Sequence, residues 1–248
     1  MSTGQPTGQS RWDLIADSFY KRLKHRHNDD LLAALEEFDA IPHGGTVLDV
    51  CCGPGWHLNT MADKIAHGVG VDSSARMIEL ARNDAPDNLT FIQHDWTTGV
   101  PEELADGYDL VIANRCPAIR DGAAVEKLHS LARQTVIMAS PVYKHVDVME
   151  ELVAAIPDAP EYNPNRMGES FGMKLGEAFR IGAQPQLRHS GFSDERELDR
   201  DSLKAELSMH VDEYGPGLFD AIDKKVGPEE TITIRVTMRF VLAIWKVT

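Results

Sequence analysis

Four polar residues close four short apolar runs: Asp49 after Val47-Leu48, Asp72 after Gly68–Val71, Asp95 after Leu89–His94, and Asn114 after Tyr108–Ala113. Runs of this kind read as buried parallel strands, which places these residues at strand ends. In an open parallel sheet, ligands bind beyond the carboxyl ends of the strands, where strand order switches direction. Polar tips gathered on one rim suit a hydroxyl-rich or cationic ligand. Gly53-Pro54-Gly55 follows the first tip. Glycines there let backbone approach a ligand closely because no Cβ stands in the way. The helix start behind them presents unpaired N–H groups. Asp72 follows Asp49 by about 20 residues, the interval at which a second strand delivers an acid to ribose hydroxyls.

Alternating strands and helices must hold these residues in place. Thr46–Ala62, TVLDVCCGPGWHLNTMA, reads as strand, glycine turn and helix, with Leu58, Met61, Ala62 and Ile65 at helical spacing. Ser73 or Ser74 caps a helix carrying Met77, Ile78 and Ala81, and Asp121 caps one carrying Val125, Leu128 and Leu131. Thr135–Ala139 is a fifth strand. Upstream, Ser10 caps an amphipathic helix through Trp12, Ile15, Ala16, Phe19, Tyr20 and Leu23, and Asn28–Asp30 caps a second through Leu31, Leu35 and Phe38. This alternation predicts an α/β fold with right-handed crossovers and a doubly wound, mostly parallel sheet. The rhythm changes after Pro141. Helices are expected over 145–156, 168–182, 202–211 and 215–226, with a loop at 157–165 and a short strand at 185–189. The alternating C-terminal run from Thr231 is long for one strand, so a bend or bulge is expected within it.

The stretch VLDVCCGPG resembles the first motif of class I S-adenosylmethionine (SAM)-dependent methyltransferases, an acid followed by Gly-x-Gly-x-Gly. Asp49 matches the acid, Gly53 and Gly55 match the second and third glycines, and Cys51 stands in the first glycine's place. The order of elements over residues 12 to 141 resembles the family plan as well. The resemblance implies a Rossmann-like fold with N-terminal helices and a C-terminal antiparallel strand. It implies SAM as cofactor, S-adenosylhomocysteine as product, and methyl transfer to a small or medium-sized acceptor. Cofactor contacts are expected from Asp49, Cys51, Gly53, Gly55, Asp72, Ser73, Met77, Asp95, Trp96 and Asn114. In the family, the position matching Asp72 grips the ribose and that matching Asp95 meets the adenine amine, with Trp96 or Ile78 covering the ring. Leu58 stands where a dinucleotide fingerprint needs its third glycine, which sets an NAD-dependent oxidoreductase well behind. A non-catalytic SAM-binding or regulatory module on the same fold is the other alternative, since fold does not fix function. Residues 142–230 carry no family motif. They are expected as a substrate or lid elaboration of a single domain over 11–248, behind a disordered tail at 1–10.

Methyl transfer from a sulfonium asks little chemistry of the protein. The leaving group is already charged, and alignment supplies much of the acceleration. A general base is needed only if the acceptor arrives protonated. His57, Asn114, Tyr20 and His94 are catalytic candidates by position only, and a solvated helix-start histidine is the plainer reading of His57. Asn114-Arg115-Cys116-Pro117 stands where relatives that methylate nucleobases carry Asn/Asp-Pro-Pro-Tyr/Phe, and only the Asn matches. Cys51, Cys52 and Cys116 end the first and fourth strands, where soft ligands could take arsenite, a thiophilic metal or a redox partner. The reading adopted is that small thiols fill tight space in the core, with no metal.

Asp and Glu outnumber Lys and Arg by 39 to 25 in 248 residues, for a net charge of −14. That balance argues against nucleic acid as the main partner. The basic run Lys21–His27 reads as the solvated end of a helix. No apolar run approaches the roughly 20 residues that span a bilayer, and MSTGQPTGQS lacks the apolar centre of a signal peptide. Three cysteines, two of them adjacent, make no disulfide framework. A soluble cytoplasmic protein is expected, with its oligomeric state open.

Overall fold

The structure, a computed structural model, describes residues 11–24, 30–83 and 85–247. The expectations for the tail at 1–10, the cap at Asn28 and the end of the basic run fall outside them. The chain divides into two compact units. One runs to Ser140 and takes back Gly172–Arg188 and the chain from Val241 on; the other comprises Pro141–Phe171 and His189–Phe240.

The first unit begins with α1 (Arg11–Lys24) and α2 (Asp30–Glu37), followed by β1 (Thr46–Val50), α3 (Trp56–Met61), β2 (His67–Asp72), α4 (Ala75–Arg82) and β3 (Leu89–Gln93). Two single 3-10 turns, Trp96–Thr98 and Glu102–Leu104, lead to β4 (Tyr108–Asn114), α5 (Gly122–Leu131) and β5 (Ala132–Val146). The chain continues through α6 (Met149–Ala154), α7 (Arg166–Arg180), β6 (Gln186–Asp199), α8 (Arg200–Leu207), α9 (Val211–Tyr214), α10 (Gly217–Lys225) and β7 (Thr231–Lys246). Strand order is β3-β2-β1-β4-β5-β7-β6. The strands from β3 to β5 pair in parallel, and the C-terminal strands supply the antiparallel pair. The chain lays β2 and β3 on one side of β1 and then returns to lay β4 on the other. The topological switch therefore lies between β1 and β4, the place where such sheets bind ligands.

Burial follows the apolar runs. Leu110, Ile112 and Ile137 are fully enclosed at the centre of the sheet, with Leu35 of α2 and Leu58 of α3 packed in the same core, and Leu48 is fully buried as well. Gly70 of β2 and Gly55 of the turn before α3 have a steric reason. A Cβ at Gly70 would stand 2.6 Å from the Phe91 ring, and one at Gly55 would stand 2.7 Å from the same ring. Phe91 fills the space beneath the glycine turn because two glycines leave it empty.

The second unit has its own core, in which Val146, Leu152, Leu203, Leu207, Leu218, Ile222, Ile234 and Val236 are buried together. Several boundaries differ from the sequence reading. β5 continues through Val146, so the helix expected from His145 is confined to Met149–Ala154. The short strand expected at 185–189 extends to Asp199, and β7 is one continuous strand of 16 residues. Long strands shared between two units explain these extensions, since packing beyond the first core sustains pairing that local propensity leaves ambiguous. Among the described residues, no helix is long and apolar enough to cross a membrane.

Candidate cofactor and active site

The turn from β1 to α3 is held by its own backbone and by Asp72. Gly53 and Gly55 both adopt left-handed conformations, with φ of 54° and 73°. The Gly55 N–H donates to the Cys52 carbonyl at 3.1 Å, and the Gly53 N–H donates to Asp72 Oδ2 at 2.9 Å. Asp72 Oδ1 takes the Ser74 N–H at 2.9 Å. One carboxylate thus fixes both the glycine turn and the start of α4, and each oxygen keeps a lone pair for a ligand hydroxyl. Burial pushes the Asp72 carboxyl up, against the lowering effect of the Ser74 and Gly53 N–H groups; the charges of Asp49 and Asp13 push it further.

Ser74, rather than Ser73, caps α4: its hydroxyl oxygen accepts from the Met77 N–H at 3.1 Å. The Ser74 hydroxyl donates in turn to Asp13 Oδ1 at 2.5 Å, and the Arg76 N–H donates to the same oxygen at 3.1 Å. Asp13 therefore docks α1 on α4, a role that the sequence reading missed. An acid in the first turn of a helix looks like a simple dipole partner until its fold neighbour is known. Ser73 is exposed, and its carbonyl accepts from the Gln93 side chain. Met77 is buried with Ala16 and Leu80, and Trp12, Phe19 and Tyr20 of α1 pack against them. A Cβ at Gly53 would come within 3.8 Å of Phe19 and 3.9 Å of Met77, so α1 lies over the glycine turn.

At the switch point, Asp49, His57 and Asn114 form a chain. Asp49 is 1% exposed, and its Oδ2 lies 3.6 Å from His57 Nδ1. His57 Nε2 lies 3.2 Å from Asn114 Nδ2. His57 is thus not a solvated helix-start side chain: Asp49 of its own strand–turn–helix unit faces one ring nitrogen, and the β1–β4 pairing brings Asn114 to the other. Asp95 and Trp96 sit apart from this chain. Asp95 is exposed and accepts from the Thr97 N–H and hydroxyl, and the hydroxyl bond in particular holds its carboxyl below the usual range. Trp96 is buried, with Lys127 Nζ 5.7 Å from its ring centroid, and Ile78 is enclosed in the core. His94 Nε2 is hydrogen-bonded with the Gly99 carbonyl.

The cysteines require a correction. Cys51 and Cys116 are not separate packing thiols: they form a disulfide, with Cα atoms 5.3 Å apart. The physical reason is strand order, since β1 beside β4 brings the two tips within bridging distance. Cys52 alone remains free and buried. Burial pushes its thiol up, and the charges of Asp49 and Asp72 push it further.

The second unit holds a cavity of about 330 Å³ lined by Lys144, Tyr162, Arg166, His210, Glu213 and Tyr214 among others. Tyr162 accepts from the Val146 N–H and donates to the Lys144 carbonyl there. Burial first, then neighbouring Glu213, pushes the Tyr214 phenol up to about 12.

The methyltransferase domain family matches residues 41–197, a span that contains the strand-end acid, the glycine turn and the acid that holds that turn from the next strand. The chain belongs to that family. The class I SAM-dependent methyltransferase resemblance and the Rossmann-like, mostly parallel sheet are therefore borne out, and SAM is the cofactor of this family. Over 63 residues the chain is 38% identical to the dTDP-3-amino-3,6-dideoxy-alpha-D-glucopyranose N,N-dimethyltransferase of Streptomyces fradiae, spanning about a quarter of that relative's length (24%). Its fold is similar to a SAM-dependent methyltransferase of Geobacter sulfurreducens solved with S-adenosyl-L-homocysteine: TM-score 0.51, 17% identity, 94% of this chain and 97% of that one. It is similar also to the [4+2]-cyclase SpnF, with TM-score 0.54, 16% identity and 98% of each chain covered. At these identities the likeness is one of fold.

Proposed function

We propose that this protein transfers a methyl group from SAM to a small or medium-sized acceptor. The observation that carries the reading is Asp72, which ends β2 with both oxygens aimed by backbone N–H groups and lone pairs left over, as a ribose diol requires. The remaining residues fit the group. Gly53 offers backbone without a Cβ beneath Phe19 and Met77, Asp95 stands exposed beyond β3 for an adenine amine, and Asp49 and Asn114 flank the switch point. Bound SAM would supply an activated methyl on a positively charged sulfur. The protein's share is to hold the nucleoside, exclude water and align the acceptor. On this reading Ser73, Gly55 and Cys51 would offer backbone to the cofactor, while Trp96 is buried in the turn after β3. Tyr20 and Asn114 remain candidates for touching the acceptor.

Residues 142–230 are proposed to select the acceptor, a role supported by the polar and aromatic cavity of the second unit, whose volume suits a small molecule. A small-molecule acceptor in the cytoplasm is the setting this reading implies. Leu58, buried in the core where a dinucleotide fingerprint has glycine, counts against NAD. Calorimetry with S-adenosylhomocysteine, followed by SAM turnover against a panel of amine and hydroxyl acceptors, tests the proposal. Binding without turnover of any acceptor would favour the non-catalytic module, and no binding would sink the reading.

A further inference from the structure

The chain Asp49–His57–Asn114 contains a choice that its chemistry resolves. An amide nitrogen only donates, so the 3.2 Å contact from Asn114 Nδ2 requires a lone pair on His57 Nε2. The ring proton then sits on Nδ1, facing the buried Asp49 carboxylate 3.6 Å away. The opposite amide orientation would place Asn114 Oδ1 against Nε2 and require the proton there. In a neutral ring that would turn the Nδ1 lone pair on the Asp49 carboxylate. Asp49 therefore selects the tautomer, and the tautomer selects the amide orientation. What remains is the Oδ1 of Asn114, a half-buried residue at the end of β4, as an acceptor for a ligand N–H.

Which N–H it meets follows from strand order, and this step rests on the SAM reading above. With the ribose at Asp72 on β2 and the adenine towards Asp95 past β3, the amino-acid end of the cofactor lies over β1 and β4. That end carries an ammonium group. A side-chain carbonyl oxygen suits a cation. We propose that His57 is a positioning residue, which locks the Asn114 amide so that its carbonyl receives the amino group of the bound cofactor.

The test uses the full chain and two probes, S-adenosylhomocysteine and 5′-methylthioadenosine, which shares the adenosine and thioether but lacks the amino acid. Long-range 1H–15N spectra should show the Nδ1–H tautomer for the histidine whose signals vanish in His57→Gln. His57→Phe and Asn114→Leu should each weaken S-adenosylhomocysteine binding about tenfold while methylthioadenosine binding stays unchanged. His57→Gln, whose side-chain carbonyl can still accept from the amide, should stay within about threefold of wild type. An Nε2–H tautomer would overturn the proposal. So would equal losses for both probes, or an unaltered affinity in a folded His57→Phe protein. Wild-type protein that binds neither probe would bring down the cofactor reading itself, an outcome distinct from normal binding that is indifferent to His57.

Discussion

Asp72→Ala removes two backbone-to-carboxylate hydrogen bonds, from Gly53 and from Ser74, each 2.9 Å long. Bonds to a charged group contribute about 1.5–3 kcal/mol each, which sets an upper limit near 6 kcal/mol. Two features lower the figure. Asp72 is half-buried, so the space its side chain vacates is open to water that can partner the freed N–H groups. Burial, with the charges of Asp49 and Asp13, also holds the carboxyl above its usual range, so its ionised form is already disfavoured. The expected loss is about 2–3 kcal/mol, a fall in Tm of roughly 4–12 °C at about 2–4 °C per kcal/mol for a chain of this size. Affinity for S-adenosylhomocysteine should fall by about 2–3 kcal/mol more, up to roughly a hundredfold, because the same oxygens serve the ribose. The pH dependence has a definite sign. A carboxyl whose folded pKa is raised contributes stability that is full below about pH 4 and is lost as pH rises through the folded pKa. The advantage of wild type over Asp72→Asn should therefore shrink as pH rises from about 4. Thermal melts at several pH values and calorimetry provide the measurements. A folded Asp72→Ala protein with the wild-type Tm and an unchanged dissociation constant would refute the reasoning.

Thiol titration of unreduced, unfolded protein should find one reactive cysteine, Cys52, rising to three after reduction; three before reduction would dissolve the Cys51–Cys116 pairing. Asp13→Ala, which strips the acceptor shared by the Ser74 hydroxyl and the Arg76 N–H, should speed amide exchange in α1 and weaken S-adenosylhomocysteine binding, and deleting residues 1–24 should abolish turnover while the sheet stays folded. Burial would raise the Asp109 carboxyl, but the Thr46 N–H, the Thr46 hydroxyl and the Gln134 amide outweigh it and hold it below the usual range. Asp109 thus contributes stability above about pH 4 that is lost as pH falls, and Asp109→Asn should flatten the acid limb of a stability–pH curve.

The parallel half of the sheet was legible because β1 to β4 each carry a polar residue at or just past their carboxyl end, and β2 and β4 lead to capped, periodic helices. Asp121 and Ser74 cap as the sequence suggests. The second unit was less legible. β6 reads QLRHSGFSDERELD, with charge along most of its length and no apolar face to announce a strand. α7, which runs between the two units, was legible despite its glycines, and it starts two residues before the expected run at 168–182. Within the candidate site, the individual residues could be read but their connections could not. His57 gains Asn114 only when β4 is laid beside β1, and Asp13 gains Ser74 only when α1 docks on α4, contacts that span 57 and 61 positions of chain. The disulfide arises in the same way: the neighbouring strand ends were foreseen, the bond between them was not.

The Phe91 ring under the glycine turn carries a consequence for how this sequence can drift. Positions 55, 70 and 91 share one volume, with the ring occupying what a side chain at either glycine would need. Gly70→Ala alone meets the ring and the Cys52 sulfur, whereas the same change made after Phe91 has become smaller meets the sulfur alone. The order of substitutions then matters as much as their sum, and the paths open to this pocket run first through β3, on the far side of β2 from the turn they would reshape.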